Sequence, residues 1–355
     1  MANAADEKQC AVAYAARLNR ENPMRQTGDA CRAVMRAKET RRRMKNGQSV
    51  VTRWIKFVEL STKLVSLTPF FIGTAYSLYV NRTLDWKATG ILLAAVFLWS
   101  LTVTMVNNFI DRRREQKEPY FSTAVSLLLI FGTGGASMAL GLWLTWLYGL
   151  PVLVAGVISF GVGIFYSFTP ISISRTPYGE IASGLTEGFL VIFLAVFVNA
   201  HTGAAHYADL QFSGRMLTGS IDWVSMLTLV LLALPNMCCT SNVMLANNIC
   251  DVERDVQSKR YTLPYYIGRK HSLTLYKTLY AAAYAVIPVS VIFGVLHPIT
   301  LAALVTAPFI FRNVQKFAAN PVKAETFVLT IRNYTLLLYV YLLTILAGFA
   351  ATLIA

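Results

Sequence analysis

From about residue 60 onward, long apolar runs alternate with short polar ones. The apolar windows are 60–80, 88–110, 121–147, 150–168, 181–200, 223–248, 273–296, 299–311 and 331–355. Most approach the length of roughly 20 residues that a helix needs to cross the hydrocarbon core of a bilayer. The pattern predicts an all-α membrane protein of about nine transmembrane helices. The eighth window is the shortest and contains Pro308, and the third carries Gly132, Gly134 and Gly135, which membrane helices tolerate.

Composition sharpens this picture. Of 355 residues, 55% are hydrophobic and only 14% charged, and the mean hydropathy is +0.50, which excludes a soluble globular enzyme of this size. The formal charge of +14 does not point to nucleic acid. The basic residues lie between apolar windows and in the N-terminal arm, where anionic lipid and positive-inside orientation account for them. Two regions are expected: a basic polar cytoplasmic arm over 1–56 and a transmembrane domain over 57–355. The arm lacks the compact apolar stretch of a signal peptide, so no cleavage is expected. Its 10–19 stretch and Arg41-Arg42-Arg43 suit either an interfacial helix on lipid headgroups or a solvated tail.

With the N-terminus inside, the inner loops hold Arg112, Arg113, Arg114, Lys117, Arg175, Arg254, Lys259, Arg260, Arg269, Lys270, Arg312, Lys316 and Lys323. The outer loops keep little beyond Arg82, Lys87 and Arg215, so the N-terminus is placed in the cytoplasm. Cys10, Cys31, Cys238, Cys239 and Cys250 have neither disulfide nor zinc spacing. His201, His206, His271 and His297 sit in loops without ligand spacing.

The chemistry concentrates at two inner helix ends. One reads Asn107-Asn108-Phe109-Ile110-Asp111-Arg112-Arg113-Arg114-Glu115, the other Asn247-Asn248-Ile249-Cys250-Asp251-Val252-Glu253-Arg254-Asp255. Steps of four place Asn107, Asp111 and Glu115 on one helix face, and Asn247, Asp251 and Asp255 on another. Each stripe offers a carboxamide and two carboxylates about a turn apart. Such oxygen donors suit Mg²⁺, which is commonly held by one or two carboxylates together with substrate phosphate. Two stripes facing each other would clamp a diphosphate. Solvated acids paired with neighbouring arginines explain one copy adequately. Two copies at the same membrane face need a partner.

Directly after the second stripe comes Lys259-Arg260-Tyr261-Thr262-Leu263-Pro264-Tyr265-Tyr266-Ile267-Gly268. With the paired motifs half a chain apart, this resembles the UbiA superfamily of intramembrane prenyltransferases from about residue 58 to the C-terminus. The run from Asp255 to Gly268 is similar to the 1,4-dihydroxy-2-naphthoate polyprenyltransferase branch. Thr62-Lys63-Leu64, Pro69 and Gly73 agree with it, as do Tyr166, Gly179-Glu180, Thr330 and Arg332. The sequence departs in lacking an Arg-Pro pair in the first helix, in having Glu115 for an aspartate, and in Tyr265-Tyr266.

The resemblance implies helices surrounding a central cavity that opens to the cytoplasmic side, in an integral protein of, by expectation, the bacterial cytoplasmic membrane. It implies Mg²⁺-dependent transfer of a polyprenyl chain from polyprenyl diphosphate to an aromatic acceptor, here 1,4-dihydroxy-2-naphthoate, giving demethylmenaquinone. Asp111, Asp251, Asp255 and Lys259 are the expected catalytic residues. Lys259, Arg260, Lys63 and Arg112 are candidates for the diphosphate, though helix capping or snorkelling also explains Lys63. Tyr166, Glu180 and Glu187 are candidates for the cation or acceptor pocket. Core packing for Tyr166 and helix capping for Glu180 stand beside that reading. The 259–268 segment is expected to fold over the cavity as a lid. Two alternatives stay open: the same fold with 4-hydroxybenzoate, haem, chlorophyllide or a sugar phosphate as acceptor, and an ion-coupled transporter, against which the lack of an inverted repeat and of midplane acids argues.

Overall fold

A computed structural model describes residues 49–355 except 61, 62, 64, 65, 115, 169–171, 201–206, 214, 215 and 355. The expectations for Cys10, Cys31, the 10–19 stretch, Arg41 to Arg43, Thr62, Leu64, Glu115, His201, His206 and Arg215 therefore lie outside the described residues. The chain divides into two units, Met1–Lys56 and Phe57–Ala355.

Helix α1 (Val50–Val58) starts after Ser49, whose hydroxyl accepts the Thr52 N–H at 3.1 Å. There follow α2 (Thr68–Asn81), α3 (Trp86–Arg114), α4 (Thr123–Tyr148), α5 (Leu150–Ser167) and α6 (Gly179–Ala200). A two-stranded antiparallel hairpin, β1 (Ala208–Ser213) and β2 (Met216–Ile221), pairs Ala208 with Ile221. Then come α7 (Trp223–Gln257), α8 (Leu263–Ile292), a 3-10 stretch (Pro298–Thr306), α9 (Ala307–Ala319) and α10 (Phe327–Ile354).

Among the described residues seven helices, α3 to α8 and α10, are long and apolar enough to cross a membrane. The other two expected spans take other forms. Helix α2 has 14 residues, and the eighth window is the 3-10 stretch running into α9. Pro298 and Pro308 each lie in the first turn of their segment, where a missing N–H leaves no bond unmade. The hairpin departs from an all-α reading. Its alternation, as in Asp209-Leu210-Gln211-Phe212, is a period-2 signal too short to register in a search for 20-residue apolar runs.

The helices alternate in direction, so one face carries both Asn-Asp motifs and the loops after α5, α7 and α9. The opposite face is tied by Asn199, which is fully buried at the end of α6. Its carboxamide oxygen accepts the Asp85 N–H at 2.9 Å, and its nitrogen donates to Thr89 at 3.1 Å. Asp85 in turn accepts the Ala88 N–H at 2.9 Å and the Tyr148 hydroxyl, joining the start of α3 to the ends of α4 and α6. Trp86, Trp146 and Trp223 are exposed at this same face, as membrane-interface tryptophans are.

Between α2 and α6 the backbones meet closely. A Cβ at Gly73 would lie 2.8 Å from Ala195 Cβ and 2.9 Å from the Ile192 carbonyl oxygen. Apolar surroundings give helices no hydrophobic drive to associate, so contact of this kind is what holds them. Gly73→Ala should cost about 1–3 kcal/mol through overpacking, seen as a lower melting temperature in detergent.

The Ala88 N–H, and after it the Tyr148 hydroxyl, hold the Asp85 carboxyl below the usual carboxylate range. A depressed folded value stabilises above the unfolded pKa of about 3.9 and is lost as pH falls through the folded value. Melting temperature should therefore drop on acidification below about pH 4, and Asp85→Asn should flatten that part of the profile.

Candidate active site

At 1.5 Å per residue, the 29 residues of α3 and 35 of α7 span about 44 and 52 Å. A hydrocarbon core is about 30 Å thick. Both helices are therefore long enough for their last turns, which carry the acidic stripes, to lie outside it.

The two stripes converge on the loop after α5. Ser167, at the end of α5, donates to the Asn107 carboxamide oxygen at 3.0 Å. Arg175, in that loop, feels the charges of both Asp111 and Asp255, which pull its pKa up. Burial is the larger effect and pushes the guanidinium below its ordinary value, with Arg114 and Arg260 acting the same way. Arg260 pairs with Asp255 at 3.5 Å and donates to the Ser174 carbonyl at 3.0 Å. The second carboxylate oxygen of Asp255 is buried without a hydrogen-bond partner. Asp251 pairs with Lys323, from the loop between α9 and α10. Asn247 is half-buried one turn before Asp251.

Other expected residues are placed differently. Arg112 donates to the Glu118 carbonyl at 2.7 Å and lies 4.0 Å over the Tyr120 ring, so its own loop engages it. Lys259 is exposed and takes a left-handed conformation, φ 55°. The 259–268 segment forms no free flap. Tyr261 N–H donates to the Arg175 carbonyl at 3.0 Å and Arg175 donates to the Ser258 carbonyl at 3.2 Å, pinning two loops together. Pro264 then opens α8, whose helical geometry breaks at Gly268, φ 73°. The Thr-Leu-Pro run is thus a helix start.

An apolar cavity of about 370 Å³ lies between α3, α4, α5 and α6. Its polar lining includes Lys63, Thr104, Tyr166, Ser183 and Glu187. None of the described stripe residues lines it. Thr104 and Met244 do, each one turn before its Asn motif, so the cavity begins one turn deeper than the acids. Lys63 is buried and donates to the Ser100 carbonyl at 3.0 Å, to the Ser100 hydroxyl at 3.1 Å and to Thr104. Tyr166 is half-buried, its hydroxyl 3.4 Å from that of Ser183 and 3.6 Å from the Met244 sulfur.

Glu187 faces the cavity from a π-helical turn, Gly184–Leu190, that interrupts α6. The wider turn leaves carbonyls short of partners, and Asn236 of α7 donates to Gly188 at 2.9 Å and to Glu187 at 3.5 Å. Glu180 does not line the cavity. It is buried against α7, where Asn248 donates to one carboxylate oxygen at 2.8 Å. The other Glu180 oxygen and the Asn248 carboxamide oxygen have no partner. Glu180 therefore positions the second motif from behind. Arg175 and Lys323 carried no signal beyond being loop charges, because only the fold brings them to the acids.

Among the described residues no three His, Cys, Asp or Glu side chains stand together as a cage. Mg²⁺ does not need one, since substrate phosphate and water complete its shell. The unpartnered Asp255 oxygen, the half-buried Asn247 and an Asp251 that has recruited an ammonium ion form an oxygen donor set that fits it.

A long-helix bundle with paired acidic stripes over an apolar cavity defines an integral membrane protein. Residues 66–333 match the UbiA prenyltransferase family, and the chain belongs to it. It is 25% identical over 194 residues to a 1,4-dihydroxy-2-naphthoate octaprenyltransferase of Bacillus subtilis (strain 168), covering 55% of each chain. It is 25% identical over 248 residues to the protein of that name from Mycobacterium leprae (strain TN), covering 65% of this chain and 74% of the other. The chain thus spans about half the length of the first relative and three quarters of the second.

The fold is similar to solved structures. A UbiA homologue from Aeropyrum pernix K1 superposes with TM-score 0.59 at 17% identity, over 82% of this chain and 98% of that one. A homologue from Archaeoglobus fulgidus, bound to DMAPP and Mg²⁺, gives 0.54 at 13% identity, over 83% and 99%.

If the two stripes hold a divalent cation, Asp111→Ala or Asp251→Ala should leave a folded protein and lower turnover by about a hundredfold or more. Glu180→Gln keeps the acceptor for Asn248 and adds a donor for its unpartnered oxygen, so activity should persist. Glu180→Ala should destabilise by about 1–3 kcal/mol. An inactive, folded Glu180→Gln protein would instead place that carboxylate in the chemistry.

Proposed function

We propose that this chain transfers a polyprenyl group from polyprenyl diphosphate to 1,4-dihydroxy-2-naphthoate, on the cytoplasmic side of a bacterial membrane. The observation that carries the reading is that both stripes meet the segment at and after the end of α5, Asn107 through Ser167 and Asp255 through Arg260 on the Ser174 carbonyl, one turn above an apolar cavity. The diphosphate belongs at the charged level and the isoprenoid in the cavity.

Asp111, Asp251 and Asp255, with Asn107 and Asn247, would hold the divalent cation, and Glu115 completes the first stripe by sequence. Bound there, Mg²⁺ supplies the Lewis-acid charge that neutralises a departing diphosphate. Arg260 and Arg175 contribute guanidinium donors suited to phosphate oxygens, and Lys259 adds a solvent-facing charge. As the allylic C–O bond breaks, its electron pair leaves with the diphosphate. Positive charge then develops on the allylic carbon at the level of Tyr166, whose ring stabilises it.

Glu187 is the base in the cavity, taking the phenolic proton as the ring attacks. Lys63, anchored by Ser100 and Thr104, meets the acceptor carboxylate. A new C–C bond forms at the carbon bearing the carboxylate, and that group leaves as carbon dioxide; its bonding pair restores the aromatic ring, Glu187 returns the proton to the phenolate oxygen, and the product is the reduced form of demethylmenaquinone. The names of the two curated relatives support this acceptor. A bicyclic ring also offers more apolar area to the cavity than a single ring, at roughly 25 cal/mol per Å².

The purified protein, incubated with prenyl diphosphates of several lengths, Mg²⁺ and either dihydroxynaphthoate or 4-hydroxybenzoate, should give prenylated naphthoquinol by mass and little benzoate product. Efficient prenylation of hydroxybenzoate alone would reassign the acceptor. No transfer to either would overturn the reading.

A further inference from the structure

The cation on Asp251 belongs to a loop that the acidic motifs do not explain. Lys323 lies between α9 and α10, 72 residues from its partner, on a stretch braced from within. Thr326 donates through its hydroxyl to the Asn320 carbonyl at 2.7 Å and accepts the Val322 N–H at 3.0 Å. Asn320 donates to the Glu325 carboxylate at 3.1 Å. A stiff loop therefore presents Lys323, and its side chain spends its one charge on Asp251. The Lys323 side chain is 43% exposed and that of Asp251 only 14%, so the lysine can leave for solvent at little cost while the carboxylate cannot.

A carboxylate oxygen in direct contact with an ammonium ion is not available to a divalent cation, and the two exclude each other. The geometry points to Lys323 as the displaceable counter-ion of Asp251: it neutralises the second stripe at rest and must move aside before a divalent cation binds there. Two neighbouring guanidinium groups are engaged elsewhere. Arg260 pairs with Asp255, and Arg175 is tied to the Ser258 carbonyl. Metal alone then competes with a built-in cation. Metal arriving on a diphosphate brings an anion toward which the released ammonium can turn. This inference rests on the metal-diphosphate reading above.

The test is Mn²⁺ binding alone, followed by electron paramagnetic resonance on the full chain in detergent. Lys323→Met should bind Mn²⁺ more tightly than wild type, by roughly three- to fivefold, the size of a partly exposed ion pair. Lys323→Arg should stay near wild type, and Asp251→Asn should bind more weakly. A role confined to bracing the loop would not raise metal affinity. Unchanged or weaker binding by Lys323→Met, with Asp251→Asn still reducing it, would overturn the counter-ion and leave the metal site standing. No Asp251-dependent binding in any protein would overturn both. Should Lys323→Met not fold, Lys323→Gln is read in the same way.

Discussion

The seam between α6 and α7 sets the geometry of the site. A polar group in an apolar bundle must find its partner within the protein, and this seam is built from such partners. Asn236, fully buried, donates to the carbonyls of the π turn and accepts the Tyr334 hydroxyl of α10 at 3.3 Å. Ser241 donates to the Glu180 carbonyl at 3.0 Å, and Asn248 to its side chain. A Cβ on Gly188 would stand 2.7 Å from the Met237 Cα, so the backbones cannot slide. Glu187 faces the cavity because of the π turn, and the turn persists because Asn236 serves it. The same register fixes how far α7 carries Asp251 and Asp255 beyond the hydrocarbon.

Charge at the motif face is balanced locally. Asp255 has Arg260, Asp251 has Lys323, and Arg175 sits within the field of Asp111 and Asp255. The cations come from three loops, after α5, α7 and α9, whereas the acids come from two helix ends. Rigid elements thus carry the groups that need accurate placement, and the loops carry groups that can exchange partners. The carbonyl contacts pinning the 258–262 turn to the 172–178 loop keep Arg175 and Arg260 at the acids.

Much of this was legible in the sequence, because both helical periodicity and the spacing of four are local signals. The windows found the long helices, and the repeated Asn-Asp pattern picked out the two helix ends where the loop cations gather. Signals that depend on contact across the chain did not register. Lys323 reads as one more loop lysine until the fold sets it on Asp251. Glu180 reads as a helix-start acid until burial shows it behind the motif. Arg112 reads as a weaker candidate than Arg260, but only the fold shows its own loop engaging it through the Glu118 carbonyl and the Tyr120 ring. The hairpin and the π turn are short irregularities that length-based patterns average away.

The one-turn offset between acids and cavity follows from conflicting needs. Carboxylates and a diphosphate require water, counter-ions and a high dielectric, while an isoprenoid and a developing carbocation require water to be kept away. A single helix satisfies both by being longer than the membrane is thick. On α3 the sequence passes from Trp99, stacked on Phe160 at 3.9 Å, through Thr104 to Asn107 and Asp111. On α7 it passes from Met244 to Asn247, Asp251 and Asp255. The boundary between the two media therefore falls at the level of Thr104, Tyr166 and Met244. A bond broken there would release its anion upward into the charged layer and leave its cation in the apolar one. On the proposed reaction, separation of charge across that boundary is what the passage of both helices from apolar to acidic residues favours.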